Sequence, residues 1–235
     1  MKRWLLVCLF VAASASARPD RTILVFGDSI SAGLGIQVDQ GWVALLQARL
    51  DEQGYGYEVV NASVSGETTA GGLERLPRAL QLHRPSVVIL ELGGNDGLRA
   101  LPIAEMRANL GRMARLARRS GSAVLLLGMR IPPNYGPQYT EQFHEAYVDL
   151  ARGARLPFVP FVLQGIAATP GLMQADGIHP NARGQPLLLD NVWPVLEPLL
   201  HKKRAAVRHR PAAARGRRTG RQAGRGPPGR ARLTA

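Results

Sequence analysis

Short apolar runs that alternate with helical segments are the feature that most restricts how this chain can fold. Runs of strand length occur at residues 22–26, 57–61, 86–90 and 123–128, with a shorter one at 158–162. They are apolar almost throughout instead of alternating with polar residues, which is typical of strands buried on both faces of a sheet. The sequence therefore predicts five buried strands.

The segments between these runs have the spacing of amphipathic helices. One of them carries an apolar stripe, with arginines on the other side of the helix. The stripe consists of Met106, Leu110, Met113 and Leu116. Strand and helix in repeated alternation favour parallel strands joined by right-handed crossovers, with helices on both faces of the sheet. The predicted fold class is α/β, as a three-layer α/β/α domain over residues 18–200.

Polar or glycine-rich loops follow the predicted strands. The first strand leads into residues 27–29, the second into 62–66 and the third into 93–96, while 176–180 lies between the fifth strand and the last helix. Ligands of parallel α/β sheets bind in the crevice at the carboxyl ends of the strands. We therefore expect these four segments to meet at one edge of the sheet and to contain the functional residues.

Ser29, Asp176 and His179 are the residue types needed to activate a hydroxyl group. A serine becomes a nucleophile when a base takes its proton and a third group orients that base. Asp176 and His179 are three residues apart in a turn, so their side chains can share one face, and Pro180 disfavours helical geometry at His179. Asp28 is an alternative orienting carboxylate, but next to Ser29 it is better placed to cap the turn.

Acyl transfer also requires hydrogen-bond donors for the carbonyl oxygen that becomes negative. The candidates are the backbone N–H groups of Ser29 and Gly66 and the side-chain amide of Asn95. Glycine at position 66 permits a close approach of the backbone. Each element alone is common in loops, but all of them together, in this chain order and at strand ends, indicate a catalytic site.

Other kinds of site find less support. No set of His, Cys or carboxylate residues has the spacing of metal ligands, so no metal is expected. Gly33 and Gly35 form only a fragment of a dinucleotide-binding motif, so no organic cofactor is expected either. Glu91 ends a buried strand and is expected to support the neighbouring loops. Four histidines have no partner acid in a comparable loop and are expected at the surface: His83, His144, His201 and His209.

The loop motifs resemble the four conserved blocks of the SGNH (GDSL) hydrolases. These are Gly27-Asp28-Ser29-Ile30-Ser31, Gly66, Gly93-Gly94-Asn95-Asp96 and Asp176-Gly177-Ile178-His179-Pro180. The resemblance covers almost all of residues 21–200. It implies a flavodoxin-like five-stranded sheet, an acyl-serine intermediate and no metal or organic cofactor. Two features depart from the family, namely Ile30 where leucine is usual and the long basic C-terminal segment.

The resemblance also implies roles for individual residues and a class of substrate. Ser29 would be the nucleophile, Asp176 and His179 the rest of the triad, and Gly66 and Asn95 the partners of Ser29 in the oxyanion hole. The implied substrates are small acyl esters, thioesters or lysophospholipids, as for the arylesterases, lysophospholipases and acyl-CoA thioesterases of the family.

Two alternative functions are a carbohydrate O-acetylesterase of the same fold and a non-catalytic binding module that acts through its basic tail. The segment at 129–139 is rich in proline and in apolar or aromatic residues. Such a segment beside an active site commonly forms a lid or wall. An apolar wall favours an acyl chain over a sugar.

The N-terminal residues have the composition of a secretory signal peptide. Residues 1–3 include two basic side chains, residues 4–13 are apolar and residues 14–17 are small. Cleavage is expected after Ala17, and the apolar run is much shorter than the ~20 residues of a membrane span. The protein is therefore expected to be periplasmic or secreted. Cys8, the single cysteine, lies in the segment that cleavage would remove.

The positive charge is concentrated at the C-terminal end. The whole chain has a net charge of +13, and residues 201–235 contain two Lys, ten Arg and no acidic residue. This segment is expected to be a disordered tail, because it lacks an apolar pattern from which to build a core. It is either a solvated extension or a contact for anionic surfaces, such as phosphate-bearing lipid, lipopolysaccharide or nucleic acid. The body is nearly neutral, so no specific nucleic-acid partner is expected.

Overall fold

A five-stranded parallel sheet forms the centre of the domain. The computed structural model describes residues 21–201, so the predicted signal peptide and all but the first residue of the basic tail lie outside the described residues. Within this range the strands are Thr22–Gly27 (β1), Glu58–Asn61 (β2), Val87–Glu91 (β3), Ala123–Leu127 (β4) and Phe158–Val159 (β5). All pairs are parallel, in the order β2-β1-β3-β4-β5. The five predicted strands are confirmed, each with small shifts at its ends.

Helices cover both faces of this sheet. In the described part of the chain they are Ser29–Ala32 (α1), Trp42–Glu52 (α2), Thr69–His83 (α3), Gly94–Leu98 (α4), Ile103–Arg119 (α5), Pro137–Ala154 (α6) and Gln185–Leu196 (α7). Helix α2 packs against α7, whereas α5 packs against both α3 and α6. Right-handed crossovers place these two groups on opposite faces. The predicted three-layer α/β/α fold is confirmed.

The core lies where the apolar runs predict it. Every residue of β3 is buried, and residues 23–26 of β1 are completely inaccessible to solvent. On α5 the side chains of Met106, Leu110 and Met113 are buried, and Leu116 is partly buried. None of the helices between residues 21 and 201 combines the length and the apolar composition needed to cross a membrane.

The strand order creates a crevice between the carboxyl ends of β1 and β3. These strands are neighbours in the sheet, but the chain leaves β1 towards α2 and leaves β3 towards α5, on opposite faces. Such a topological switch point is where ligands bind in open α/β sheets. Gly27 and Glu91 pair at the end of the ladder. A Cβ atom on Gly27 would lie 2.5 Å from Glu91 Oε2, so only glycine permits this close approach.

The expectation that His144 is a surface residue is wrong. Its side chain is only 7 % exposed, because on α6 it adjoins the apolar face formed by Phe143 and Tyr147. Burial lowers the pKa of His144, and the positive charge of Arg130 adds to this effect. The spacing of residues in the sequence did not show whether His144 lies at the edge of the buried face of α6 or on the exposed side of the helix. His83 is half-buried, His201 is exposed, and His209 lies outside the described residues.

Candidate active site

Ser29 occupies a sharp turn between a strand and a helix. It follows β1 after one residue and is the first residue of α1. Asp28 caps this helix, because its Oδ1 accepts a hydrogen bond of 3.1 Å from the Ile30 backbone N–H. The capping interaction predicted for Asp28 is therefore confirmed. The turn directs the Ser29 hydroxyl into the crevice at the end of the sheet.

His179 lies between Ser29 and Asp176. Its Nε2 is 2.7 Å from Ser29 Oγ, and its Nδ1 is 2.6 Å from Asp176 Oδ2. An ionised carboxylate can only accept hydrogen bonds, so the imidazole proton belongs on Nδ1. Nε2 is then free to accept the proton of the Ser29 hydroxyl. The three side chains form one continuous hydrogen-bond network, although Ser29 and His179 are 150 residues apart in the sequence.

A tight loop holds Asp176 and His179 in place. Asp176 Oδ1 accepts hydrogen bonds from the backbone N–H groups of Ile178 and His179, at 2.9 and 3.0 Å. The His179 carbonyl in turn accepts a bond of 2.8 Å from the Gln174 backbone N–H. The backbone thus positions the imidazole independently of its contact with Ser29.

These contacts also determine the ionisation of Asp176. Desolvation acts to raise its pKa, but the hydrogen bond from His179 and the two backbone N–H groups outweigh that effect and lower the pKa to about 2. Asp176 therefore remains a carboxylate at neutral pH. A fixed negative charge at Nδ1 keeps the imidazole in the tautomer that can accept a proton at Nε2.

Asn95 reaches the same crevice from the end of β3. It lies on α4, and its Nδ2 donates a hydrogen bond of 3.2 Å to Asp28 Oδ2. Burial raises the pKa of Asp28 to about 6, although the bonds from Ile30 and Asn95 oppose the rise. Each side-chain amide has two N–H groups. The bond to Asp28 therefore uses one of them and leaves the second available.

Gly66 lies in the loop between β2 and α3. Its φ angle of +79° is in the left-handed region, which favours glycine. The Gly66 carbonyl accepts a hydrogen bond of 3.0 Å from Arg99 Nη2, and Arg99 directly follows α4. Gly66 is exposed and is not among the residues that line the cleft described below. Of the predicted site residues, Ser29, Asn95 and His179 line that cleft directly.

Glu91 is buried beneath the turn that carries Ser29. Its Oε2 accepts a hydrogen bond of 2.6 Å from Ser31 Oγ and one of 3.3 Å from the Asp28 backbone N–H. These bonds hold the chain on both sides of Ser29. Burial raises the pKa of Glu91 well above its ordinary value, and the charge of Asp28 adds to the rise. The predicted support of the loop by Glu91 is confirmed.

A cleft of about 540 Å³ opens beside Ser29, Asn95 and His179. Its walls are largely apolar. One wall is the segment after β4, which supplies Met129, Arg130, Ile131, Pro132 and Pro133, and a second wall comes from residues after β5, namely Phe161, Leu163, Ala167, Ala168 and Met173. The first wall lies within the predicted segment 129–139. The second was missed, although its position after a strand end is a signal that could have found it.

Acidic, histidine and cysteine side chains are not gathered into a metal site here. Across residues 21–201 there is no group of three or more such residues arranged to hold a metal ion. Asp28, Asp176 and His179 are instead engaged in the hydrogen bonds described above.

One known protein family matches most of this chain. The model of the GDSL-like lipase/acylhydrolase family matches residues 25–187, which is more than half of the chain. The chain belongs to this family. As a GDSL-like acylhydrolase, it is an enzyme that hydrolyses ester bonds.

Individual GDSL-like relatives match nearly over their whole lengths. The esterase TesA of Pseudomonas aeruginosa is 53 % identical over 193 residues, covering 82 % of this chain and 96 % of its own. Thioesterase 1/protease 1/lysophospholipase L1 of Escherichia coli is 38 % identical over 200 residues, covering 85 % and 95 %. A crystal structure of TesA superimposes with a TM-score of 0.75 at 56 % identity, covering 77 % of this chain and 100 % of that one.

Proposed function

We propose that Ser29, His179 and Asp176 form the catalytic triad of this ester hydrolase and that the reaction passes through an acyl-Ser29 intermediate. The observation that carries the proposal is the hydrogen-bond network from Ser29 Oγ through the His179 imidazole to the Asp176 carboxylate. A serine whose hydroxyl contacts a neutral imidazole nitrogen can lose its proton as it attacks.

The reaction proceeds in two halves. Ser29 Oγ attacks the carbonyl carbon of the ester while its proton moves to His179 Nε2. The imidazolium then donates that proton to the oxygen or sulfur of the leaving group, which departs and leaves the acyl group on Ser29. In the second half, His179 takes a proton from water while the water oxygen attacks the acyl carbon. The bond between that carbon and Ser29 Oγ then breaks, His179 returns the proton to Oγ, and the carboxylic acid is released.

Asn95 and the backbone N–H groups of Ser29 and Gly66 would stabilise the negative oxygen of each tetrahedral intermediate. The free N–H of the Asn95 amide supports this role, because Asp28 anchors the other one. Donors that are oriented before the reaction stabilise charge without having to reorganise. The hydrogen bond from Arg99 to the Gly66 carbonyl holds the loop that contains the Gly66 backbone N–H beside α4.

The apolar walls of the cleft indicate substrates with an acyl chain. A volume of about 540 Å³ accommodates a chain of several methylene groups beside the reactive serine. We propose acyl esters, thioesters and lysophospholipids as substrates, in keeping with the names of the relatives in P. aeruginosa and E. coli. A carbohydrate O-acetylesterase would be expected to present more polar side chains to its substrate than these walls provide.

We also propose that the enzyme acts in the periplasm or outside the cell. The support for this is the signal-like composition of residues 1–17. Contact of the C-terminal arginines with anionic surfaces is a further part of the proposal. It is supported by their charge alone.

Ser29→Ala is the direct test of the mechanism. Its kcat on p-nitrophenyl esters should fall to the residual level that an oxyanion hole alone provides, roughly 10³- to 10⁴-fold above the uncatalysed rate. Ser86→Ala is a matched control, because Ser86 also donates a hydroxyl hydrogen bond but lies at the opposite end of the sheet. It should retain normal kcat.

Covalent labelling makes the same test independent of rates. A phosphonate ester should inactivate the enzyme and add one phosphonyl group to the peptide that contains Ser29, as measured by mass spectrometry. An inactivated enzyme that carries the label on another residue would overturn the assignment of Ser29.

A further inference from the structure

Asp96 is a buried acid that the proposed chemistry does not use. It is only 3 % exposed and directly follows Asn95 on α4. Its Oδ2 accepts a hydrogen bond of 2.9 Å from the Thr69 backbone N–H, and its Oδ1 accepts one of 2.5 Å from Thr69 Oγ1. Both oxygens of one carboxylate are thus bonded to a single residue of another helix.

Thr69 is held in the orientation that this contact requires. It is the first residue of α3 and is completely buried. The Thr69 hydroxyl donates its hydrogen to Asp96, and its oxygen, Oγ1, accepts a hydrogen bond of 3.3 Å from Asn109 Nδ2 on α5. The carboxylate also lies at the amino end of α3, where the helix dipole favours negative charge.

The two residues belong to elements that carry different oxyanion donors. Asp96 is adjacent to Asn95, whereas Thr69 is three residues after Gly66. The chain between Gly66 and Thr69 is short and constrained, with Thr68 capping α3 through a bond from the Gly71 backbone N–H. A shift of α3 relative to α4 would therefore move Gly66 relative to Asn95.

We propose that Asp96 and Thr69 are positioning residues that set the separation between the Asn95 amide and the Gly66 backbone N–H. The inference rests on the proposed role of these two donors. Oxyanion donors act at 2.7–3.1 Å from the charged oxygen, and a displacement of about 1 Å can lower a rate by about 10²-fold. Two buried bonds to one carboxylate restrict such displacement more strongly than the exposed Arg99 contact does.

Thr69→Val tests this proposal, because it removes the hydroxyl while preserving the shape of the side chain and its backbone N–H. We expect kcat to fall by about tenfold with KM within about twofold, since the donors act mainly on the transition state. Thr69→Ser keeps the hydroxyl and should restore kcat to within about twofold of the original enzyme.

Ser122→Ala is the matched control for lost stability. Ser122 is 5 % exposed and donates a hydrogen bond of 2.6 Å to the Pro85 carbonyl at the far end of the sheet. It should lower the melting temperature as Thr69→Val does but leave kcat unchanged. Rates are measured at a temperature where all variants are folded, and Asp96→Asn takes the place of Thr69→Val if the valine variant does not fold.

A double-mutant cycle with Asn95→Ala distinguishes positioning from a general structural effect. When Asn95 no longer donates, Thr69→Val should reduce kcat by less than about threefold, because one of the two positioned donors is already missing. Independent effects would instead multiply. A multiplicative cycle, or a Thr69→Val enzyme with normal kcat, would overturn the proposal. Neither result would affect the assignment of Ser29, which the labelling experiment tests separately.

Discussion

Asn95 Nδ2 donates a hydrogen bond of 3.2 Å to Asp28 Oδ2, so the residue before the serine anchors the amide at the opposite side of the crevice. The two residues follow neighbouring strands, β1 and β3. Asp28 also caps the helix that begins with Ser29. A single carboxylate therefore orients both the turn that carries the Ser29 hydroxyl and the Asn95 amide.

Asn95→Ala should lower kcat by about 10²–10³-fold, because removing one donor of an oxyanion hole typically has this effect. KM should change little, since the ground-state carbonyl contacts that donor weakly. Steady-state kinetics with a p-nitrophenyl ester measure both constants, and a circular dichroism melt establishes that the variant is folded. Normal kcat in a folded variant would remove Asn95 from the mechanism.

Asp176→Asn should lower kcat by roughly 10²–10⁴-fold, because an amide can donate to His179 Nδ1 and so favour the wrong tautomer. The Asp176 carboxyl is about 43 % exposed, so water can replace part of its effect, and the loss should be smaller than for a fully buried acid. Asp190→Asn is the control, because it makes the same change at an exposed carboxylate that pairs with Arg49. If Asp176→Asn and Asp190→Asn had equal kcat, orientation by the Asp176 carboxylate would be contradicted.

Glu91→Gln should reduce the loss of stability that occurs as the pH rises above the ordinary pKa of a glutamic acid. The pKa of Glu91 is raised in the folded protein, so between the unfolded and folded values the folded state holds a proton that the unfolded state releases. Stability therefore falls as pH rises through this window, and glutamine has no such proton to lose. Urea unfolding of the original enzyme and the variant at a series of pH values tests this. An unchanged pH dependence in the variant would show that Glu91 does not cause it.

Ala168→Phe should shorten the acyl chains that the enzyme accepts. Ala168 lies on the cleft wall that follows β5, and a phenyl ring there would occupy part of the space of about 540 Å³. We expect KM to rise several-fold for decanoyl esters but not for acetyl esters, which are the internal control. Equal changes for both esters would mean that the acyl chain does not reach this wall.

A chain that ends at Leu200 should hydrolyse anionic lysophospholipid vesicles more slowly than the full chain at low salt. The removed residues carry two Lys and ten Arg, and their attraction to a negative surface is screened by salt. The difference should therefore disappear at high salt, while both chains hydrolyse a neutral soluble ester equally. Equal rates on vesicles at both salt concentrations would leave the tail without a role in hydrolysis.

The sequence by itself determined the fold class and the segments that carry the chemistry. Buried strands are recognisable because both of their faces contact helices, so their residues are apolar without alternation. The capping role of Asp28 was also predictable from the sequence, because it depends only on residues within one turn of Asp28. The roles assigned to Ser29, Asp176 and His179 also came from the sequence, and they stay predictions for the experiments above.

Only the tertiary structure decided which of these side chains touch and what surrounds them. The distance of 2.7 Å between Ser29 and His179 depends on the packing of every crossover between β1 and the last loop. The wall after β5, the contact of Asp96 with Thr69 and the burial of His144 likewise arise between elements distant in sequence. Periodicity and turn chemistry report local geometry, whereas such contacts depend on how helices pack across the sheet.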